Sequence, residues 1–522
     1  MGDMRLRFGL LKYPDIHSPR GNIFRFPNNV PNSTEASYAH DLLEIAESEL
    51  YQLHLDIAVL LTKRAHITKR ITNCKAILAP HKNLPSELMS KIFSFVIMER
   101  YAVLPLRYGK RDSRLRITQV CSRWRRIAFD TPDLWDLCFP PFSHSSGIEL
   151  GAYWWSQYSG SKLRFSATYQ PRLIPRSKLD FQLVDKLILP FSERLRDIRI
   201  AVSTRDLKKL LTAPPGSFNN LEAITLWLHS RDVGPWSATD TALMTAPKLH
   251  SVSLSVVTQS WFSPNLPLGQ LTQLTLNARI PADVCFILLE QCTSLVNCDF
   301  SYIDEDFGSV AGLEPLPDFP LRLPLLNFFA VHFKSGDFSS LLSRLSLPNL
   351  SNFLITTNIT HHQNRWMLHC KEFFRSMEES LINFEITTSV EDSWQSNPLD
   401  EAILWDLPNI QSFIAPQYHP LNASALEKIA QGIVLRKVES LQFYTDNADD
   451  VVSMLTTRQS SALSASSGSL SPIKNIQVNC QRTTSGLEDK LNLFRSQGIV
   501  IDCVVPYNEP HTTSGDSDSD SG

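Results

Sequence analysis

The chain has 522 residues, of which 43% are hydrophobic and 20% are charged, and its formal net charge at pH 7 is -3. A chain of this length is too long to fold around one ordinary hydrophobic core, so several domains or an elongated repeat array are expected. The near-neutral charge disfavours bulk attraction to nucleic acid or to an anionic membrane, and no apolar run reaches the roughly eighteen residues of a membrane-spanning helix. Nine cysteines without a C-x-x-C pair, and without a secretory signal, predict reduced thiols and a cytoplasmic or nuclear protein.

The first eighty residues predict an arm followed by one long helix. Residues 1–35 show no periodicity and are predicted to be a flexible arm, whereas 36–79 are predicted to be a helix with its N-cap near Ser33. Its apolar stripe alternates steps of three and four, interrupted by Arg64, and comprises Leu43, Ala46, Leu50, Leu53, Ile57, Leu60, Ile67, Ile71, Cys74 and Leu78. Two interpretations remain open: a homodimeric coiled coil through residues 43–78, or a helix packed against the chain's own core.

Two short motifs follow within residues 80–139. The first begins with Leu84-Pro85-Ser86-Glu87, a helix start with an early proline and an acid in the first turn, and Leu88, Ile92, Phe93 and Val96 are predicted to share a face. The second is Val120-Cys121-Ser122-Arg123-Trp124, followed by Leu134-Trp135. Two or three short helices cannot bury so many large apolar groups among themselves, so surplus apolar surface is expected to meet a partner.

Together the two motifs resemble the F-box, the helical module that docks a substrate receptor onto the Skp-type adaptor of a cullin-RING ubiquitin ligase. The resemblance implies adaptor-binding or core positions at Leu84, Pro85, Leu88, Ile92, Phe93, Val120, Cys121, Trp124, Leu134 and Trp135. When the heptad helix and the repeats described below are included, the chain also resembles the F-box families of mushroom-forming fungi. The resemblance implies a non-catalytic protein that needs no cofactor, with the adaptor, a cullin and a protein substrate as partners.

Beyond residue 190 the phrase L-x-x-L-x-L recurs, with apolar substitutions, at intervals of 22 to 35 residues. Its eleven occurrences begin at Leu195, Leu221, Leu249, Leu271, Leu295, Leu326, Leu350, Leu381, Ile410, Val438 and Ile473. The spacing is close to that of leucine-rich repeats, in which each unit supplies a short strand and then a helix or turn. Outward-facing strand positions would form a concave target-binding face that includes Thr225, Trp227, Ser253, Thr275, Asn277, Asp299, Glu385, Gln442 and Tyr444.

Three other features suggest weaker hypotheses. A basic insertion between the two motifs contains Arg107, Lys110, Arg111 and Arg114, but without an aromatic platform or a zinc finger it gives little support to nucleic-acid binding. The histidines at 361, 362 and 369 match no metal-site spacing, and no metal is expected. The Ser-rich segment 458–470 is predicted to be a loop, and the acidic serine tail to be disordered and open to phosphorylation.

The predicted fold class is α+β overall: an N-terminal long helix and a small all-α F-box-like domain, followed by an irregular α/β leucine-rich-repeat solenoid. The predicted segments are 1–35 (arm), 36–79 (helix), 80–139 (F-box-like), 140–190 (linker and first cap), 191–505 (solenoid) and 506–522 (tail). The function that this organisation favours is a substrate receptor of a ubiquitin ligase. The alternative is a non-catalytic repeat scaffold whose box-like helices only cap the solenoid.

Overall fold

The computed structural model describes residues 30, 32–101, 113–135, 137–138, 149, 152–153, 155–157, 162–167, 183–228, 242–256, 265–304, 320–335, 339–357, 370–388, 407–415, 420–464, 470–482 and 486–504. The arm, most of the basic insertion, the histidines at 361, 362 and 369 and the acidic tail therefore lie outside the described residues. The chain divides into two units, residues 1–92 and 93–522, and the boundary falls within the helix Ser86–Tyr101.

The first unit contains a single uninterrupted helix of 45 residues, α1 (Ser33–Ile77). It begins with a capping box. The Asn32 side chain accepts a hydrogen bond from the Glu35 N–H at 2.9 Å, and the Glu35 carboxylate accepts one from the Asn32 N–H at 3.0 Å. The N-cap is thus one residue earlier than Ser33. A short 3₁₀ turn, Pro80–Asn83, separates α1 from α2 (Ser86–Tyr101).

The second unit begins with helices. The end of α2 is followed by α3 (Ser113–Val120), α4 (Ser122–Phe129) and a 3₁₀ turn, Pro132–Leu134. Cys121 separates α3 from α4 because its backbone is extended, and its sulfur accepts a hydrogen bond from the Trp124 N–H at 3.4 Å as the N-cap of α4.

In the part of the second unit that the structure describes, fourteen strands form one parallel sheet. Its fourteen strands are β1 (Leu137–Cys138), β2 (Leu163–Ala167), β3 (Leu195–Val202), β4 (Ala223–Leu228), β5 (Ser251–Val256), β6 (Gln273–Ile280), β7 (Asn297–Asp304), β9 (Phe328–Ser335), β11 (Asn352–Thr357), β12 (Asn383–Thr388), β13 (Ser412–Ile414), β14 (Ser440–Asn447), β15 (Asn475–Arg482) and β16 (Val500–Val504). They lie side by side in chain order. The two remaining strands, β8 (Leu321–Arg322) and β10 (Leu345–Ser346), pair with each other.

Each of the eleven L-x-x-L-x-L segments supplies one strand of this sheet, because alternating apolar residues can be buried on one face. In β4, for example, Ile224, Leu226 and Leu228 are buried while the residues between them are only partly covered. The sheet also extends further towards the N-terminus than the repeats predicted. β2, inside the segment predicted as a linker, pairs with β3, and β1 pairs with β2.

Helices are found in the connections between strands, and the core is a continuous apolar cluster from Trp155 to Ile501. The helices are Thr204–Leu211, Ala282–Gln291, Ser339–Leu342, Lys371–Ser376, Ala423–Gln431, Ala448–Ser464 and Leu487–Ser496. A column of phenylalanines stacks across β9, β11, β12 and β13, with ring centroids 5.6 to 5.9 Å apart. Its members, at matching positions of the four strands, are Phe329, Phe353, Phe384 and Phe413.

The helix Ala448–Ser464 covers part of the segment 458–470, so the prediction of a loop there was wrong. The reason is Arg458, which is fully buried. Its guanidinium donates hydrogen bonds to the carbonyl oxygens of Ile429, Arg436 and Ser471 at 2.8, 2.6 and 2.9 Å, and to a fourth at Leu435. Burial lowers the pKa of Arg458 to about 10, which leaves the side chain protonated at neutral pH.

Several strands end where an interval outside the described residues begins. The intervals 229–241, 257–264, 305–319, 358–369 and 389–406 each begin directly after the last residue of a strand. Because the strands are parallel, these carboxyl ends line the same edge.

Candidate partner-binding surfaces

Helix α2 has an exposed apolar stripe. Leu88, Ile92, Phe95 and Val96 are respectively 47%, 43%, 70% and 42% exposed. Steps of three and four residues place these side chains on one side of the helix. Met89, which is almost fully covered, borders this stripe on the side of the helix towards Phe93. Four large apolar side chains exposed in line are typical of a surface that a partner covers.

The buried side of the box-like region is held together by aromatic rings. Phe93 is buried and lies 5.0 Å from Trp124 of α4, measured between ring centroids. Trp135 is also buried, and its indole N–H donates to the Ala128 carbonyl at 2.9 Å. This packing positions α4 and the 3₁₀ turn after it relative to the second half of α2.

Arginines also stabilise this cluster. The Arg114 guanidinium lies 5.8 Å from the Trp135 ring centroid and donates to the Leu134 carbonyl at 3.4 Å, and Arg125 donates to the Thr118 carbonyl at 2.9 Å. Arg114 is buried. Arg114, one of the cations that had suggested a nucleic-acid surface, therefore stabilises the packing of the helices.

The ten residues implied by the F-box resemblance fall into three groups in the structure. The exposed ones are Pro85, Leu88, Ile92 and Val120. The half-buried ones are Leu84, Cys121 and Trp124. The buried ones are Phe93, Leu134 and Trp135. Burial makes the last three part of the interior, so they fall among the core positions that the resemblance also allows.

Sequence reasoning missed Phe95 as the most exposed member of the stripe. Successive helical residues are separated by about 100° around the axis, so Phe95 lies close to the direction of Ile92, whereas Phe93 lies about 100° away from Ile92. Grouping Phe93 with Leu88 and Ile92 was therefore wrong. The helical period of 3.6 residues, applied strictly, would have placed Phe93 and Phe95 on different sides of the helix.

The residues predicted to face a target lie in two adjacent rows across one face of the sheet. The first row runs, strand by strand, through Thr225, Ser253, Thr275, Asp299, Ala330, Leu354, Glu385, Ile414 and Gln442. The second runs through Trp227, Ser255, Asn277, Ser301, His332, Thr356 and Thr387. Tyr444 belongs to β14, two positions after Gln442, and its neighbour is Asn479 of β15. Neighbouring members of a row are about 4.8 Å apart.

The centre of this face carries a titratable pair. His332 Nε2 lies 3.8 Å from Asp299 Oδ1, and both side chains are about one-third exposed. Burial raises the pKa of the Asp299 carboxyl, and the neighbouring His332 and the Ser301 hydroxyl oppose that rise. His332 was not among the predicted residues, although it follows the buried Val331 in β9 and the two-residue alternation therefore places it on the outward face.

Metal and membrane sites were not expected. Among the residues that the structure describes, no group of three or more potential ligands is placed to hold a metal ion. Within the same part of the chain, no helix combines the length and the apolar character required to cross a bilayer.

Comparison with known proteins identifies the helical region. Residues 81–139 match the sequence model of the family described as F-box-like. The matched segment includes both motifs, the exposed stripe of α2 and the Trp124–Trp135 cluster. No curated protein matches the chain significantly. The chain thus contains an F-box-like domain, a type of domain that binds Skp-type adaptors in cullin complexes.

Proposed function

We propose that this protein is a substrate-receptor subunit of a Skp/cullin-RING ubiquitin ligase, acting in the cytoplasm or nucleus. The adaptor binds the α2 stripe, and the strand face binds a protein target. The chain itself performs no catalysis. It raises the rate of ubiquitin transfer by holding the target near the loaded conjugating enzyme, which is a proximity effect.

The observation that carries the adaptor assignment is the exposed stripe inside the F-box-like match. Leu88, Ile92 and Phe95 are large, aligned and open, whereas Phe93 is buried in the interior. Buried apolar side chains contribute roughly 1.5–3 kcal/mol each when covered by a partner. Val120, which is 55% exposed at the end of α3, is a further contact in this proposal.

We further propose that the sheet is the inner face of an irregular leucine-rich-repeat solenoid. The strands follow chain order, each repeat phrase supplies one strand, and the pairing register aligns the repeat positions. In such an array each unit contacts mainly its neighbours and leaves an extended face for a partner.

The two rows suggest what kind of target segment fits. In the first row the buried Ala330 and the half-buried Leu354 lie between Asp299 and Glu385, so Leu354 supplies a small apolar strip that is bounded by acidic side chains. A protein segment with apolar residues flanked by Lys or Arg complements this pattern. The aromatic side chains of Trp227 and Tyr444 lie further along the sheet as additional contacts.

The test is co-purification of the full chain with a Skp-type adaptor. We expect a one-to-one complex for the wild type, and its loss in the double variant Leu88→Asp/Ile92→Asp. The matched control is Leu493→Asp, since Leu493 is an exposed leucine on another helix, Leu487–Ser496. Adaptor binding that survives the double variant in a folded protein would favour the alternative of a scaffold with a box-like cap.

The target face requires a separate experiment. The variant Glu385→Arg should still bind the adaptor, because Glu385 lies in β12, outside the F-box-like residues 81–139. It should lose partners that bind the central strip. Comparison of the ubiquitinated proteins obtained with wild type and variant in a reconstituted ligase would identify them. An unchanged set would count against the strand face as the target site.

A further inference from the structure

The apolar seam of α1 is uncovered. No residue of α1 is buried, and every residue from Leu50 to Leu78 is exposed. Leu53, Ile57 and Leu60 are 52%, 51% and 62% exposed. A helix of this size is about 68 Å long. Most helical stability in proteins comes from packing of an apolar face, so such a helix requires something to cover it.

The charges of α1 are separated into two halves. Its acidic residues all lie before position 57 and are Glu35, Asp41, Glu44, Glu47, Glu49 and Asp56. Its lysines and arginines all lie after position 62 and are Lys63, Arg64, Lys69, Arg70 and Lys75. None of these residues has an opposite charge three or four positions away, so the helix cannot neutralise them along its own surface.

We propose that α1 pairs with the α1 helix of a second copy of this chain in an antiparallel coiled coil. Antiparallel alignment lays the acidic half of each copy against the basic half of the other. A parallel pair would instead align acid with acid and base with base. The helix macrodipole does not explain the separation, because its effect is confined to the first and last turns.

The seam and the charges select one register. Pairing Leu50 with Ile67 of the second copy also brings Ile57 opposite Leu60. The flanking positions then place Glu49 opposite Arg70 and Asp56 opposite Lys63, and two-fold symmetry repeats both pairs. A shift of one heptad in one direction would place Asp56 opposite Asp56 of the second copy. A shift in the other direction would place Lys63 opposite Lys63. Like-charge repulsion disfavours both of these registers.

Arg64, the one charged residue in the seam, independently supports this orientation. In a parallel pair, equivalent seam positions meet, so Arg64 would face Arg64 of the second copy with both guanidinium groups inside the interface. In the antiparallel register it faces Leu53 of the second copy. Its aliphatic stem can then lie against a leucine while the charged end reaches water.

The first experiment measures the mass of the full chain by sedimentation equilibrium. We expect a dimer for the wild type. We expect a dimerisation affinity weaker by roughly tenfold or more in Glu49→Lys/Asp56→Lys, and in Lys63→Glu/Arg70→Glu, because each variant alone places like charges opposite each other. Mixing the two variants, or combining all four changes in one chain, should restore the dimer. A monomeric wild type, or a dimer indifferent to these reversals, would overturn the proposal.

The second experiment determines the orientation with cysteines. Cys74 is exposed and lies in the seam. In a parallel pair it would meet Cys74 of the second copy, and mild oxidation would cross-link the wild type. In the antiparallel register it faces Leu43 of the second copy, so Leu43→Cys should cross-link efficiently and Leu43→Cys/Cys74→Ala should not. Efficient cross-linking of the wild type through Cys74 would refute the antiparallel arrangement.

This inference is independent of the proposed ligase role, because α1 lies outside the matched residues 81–139. Adaptor binding and dimerisation are measured on different variants. Failure of one therefore leaves the other standing.

Discussion

Replacing Phe95 with alanine should weaken adaptor binding without unfolding the protein. The side chain is 70% exposed, and an aromatic side chain carries roughly 150–250 Å² of surface. Docking can therefore cover about 100–175 Å², which at about 25 cal/mol per Å² contributes about 2–4 kcal/mol. The dissociation constant for a Skp-type adaptor should rise roughly 30- to 900-fold.

The assay is isothermal titration of the full chain with purified adaptor, accompanied by a thermal melt. Phe93→Ala is the informative comparison, because Phe93 is buried against Trp124. Its truncation should reduce the hydrogen-exchange protection of α3 and α4, an effect that Phe95→Ala should lack. If Phe95→Ala changes the dissociation constant by less than about twofold, the α2 stripe is not the adaptor site and the reasoning from exposure fails.

Three further predictions concern the sheet. Phe353→Ala should remove about 3–5 kcal/mol of unfolding free energy in a urea titration, because its ring packs against Phe329 and Phe384, and a loss below about 1 kcal/mol would contradict that packing. Arg458→Met should cost at least about 3 kcal/mol, since four carbonyl oxygens lose a charged donor, and a melt unchanged from wild type would count against it. The thiol of Cys503 should react with an alkylating reagent at pH 7, because a hydrogen bond from Cys480 lowers the pKa of Cys503. Cys480→Ala should slow this alkylation in a mass-spectrometric time course. Equal rates in wild type and variant would show that Cys480 does not activate the thiol.

The regular parts of the fold could be predicted because their signals are periodic. A seam of alternating three- and four-residue steps anticipated α1 to within a few residues, and the L-x-x-L-x-L phrase anticipated eleven strands. Both patterns follow from which side chains can share a face. The two-residue alternation also placed Thr225 and Ser253 on one face before their register was known.

The exceptions depend on contacts between distant segments. Arg458 is buried because the backbone carbonyl oxygens of Ile429 and Ser471 accept hydrogen bonds from it. The residues next to Arg458 in the sequence do not indicate these contacts. β2 joins the sheet although its segment lacks the repeat phrase. In α2 the difficulty was different: both sides of the helix are apolar, so composition could not decide which of Phe93 and Phe95 is buried.

The shared edge at the carboxyl ends of the strands has a consequence for how this protein can change. The intervals 229–241, 305–319 and 389–406 differ in length, yet the strands on either side of each keep parallel pairing with their neighbours. Residues can therefore be gained or lost there without moving a side chain from one face of the sheet to the other. A frame of this kind tolerates changes in the length of the segments between its strands, and a lineage or a protein engineer can use that tolerance.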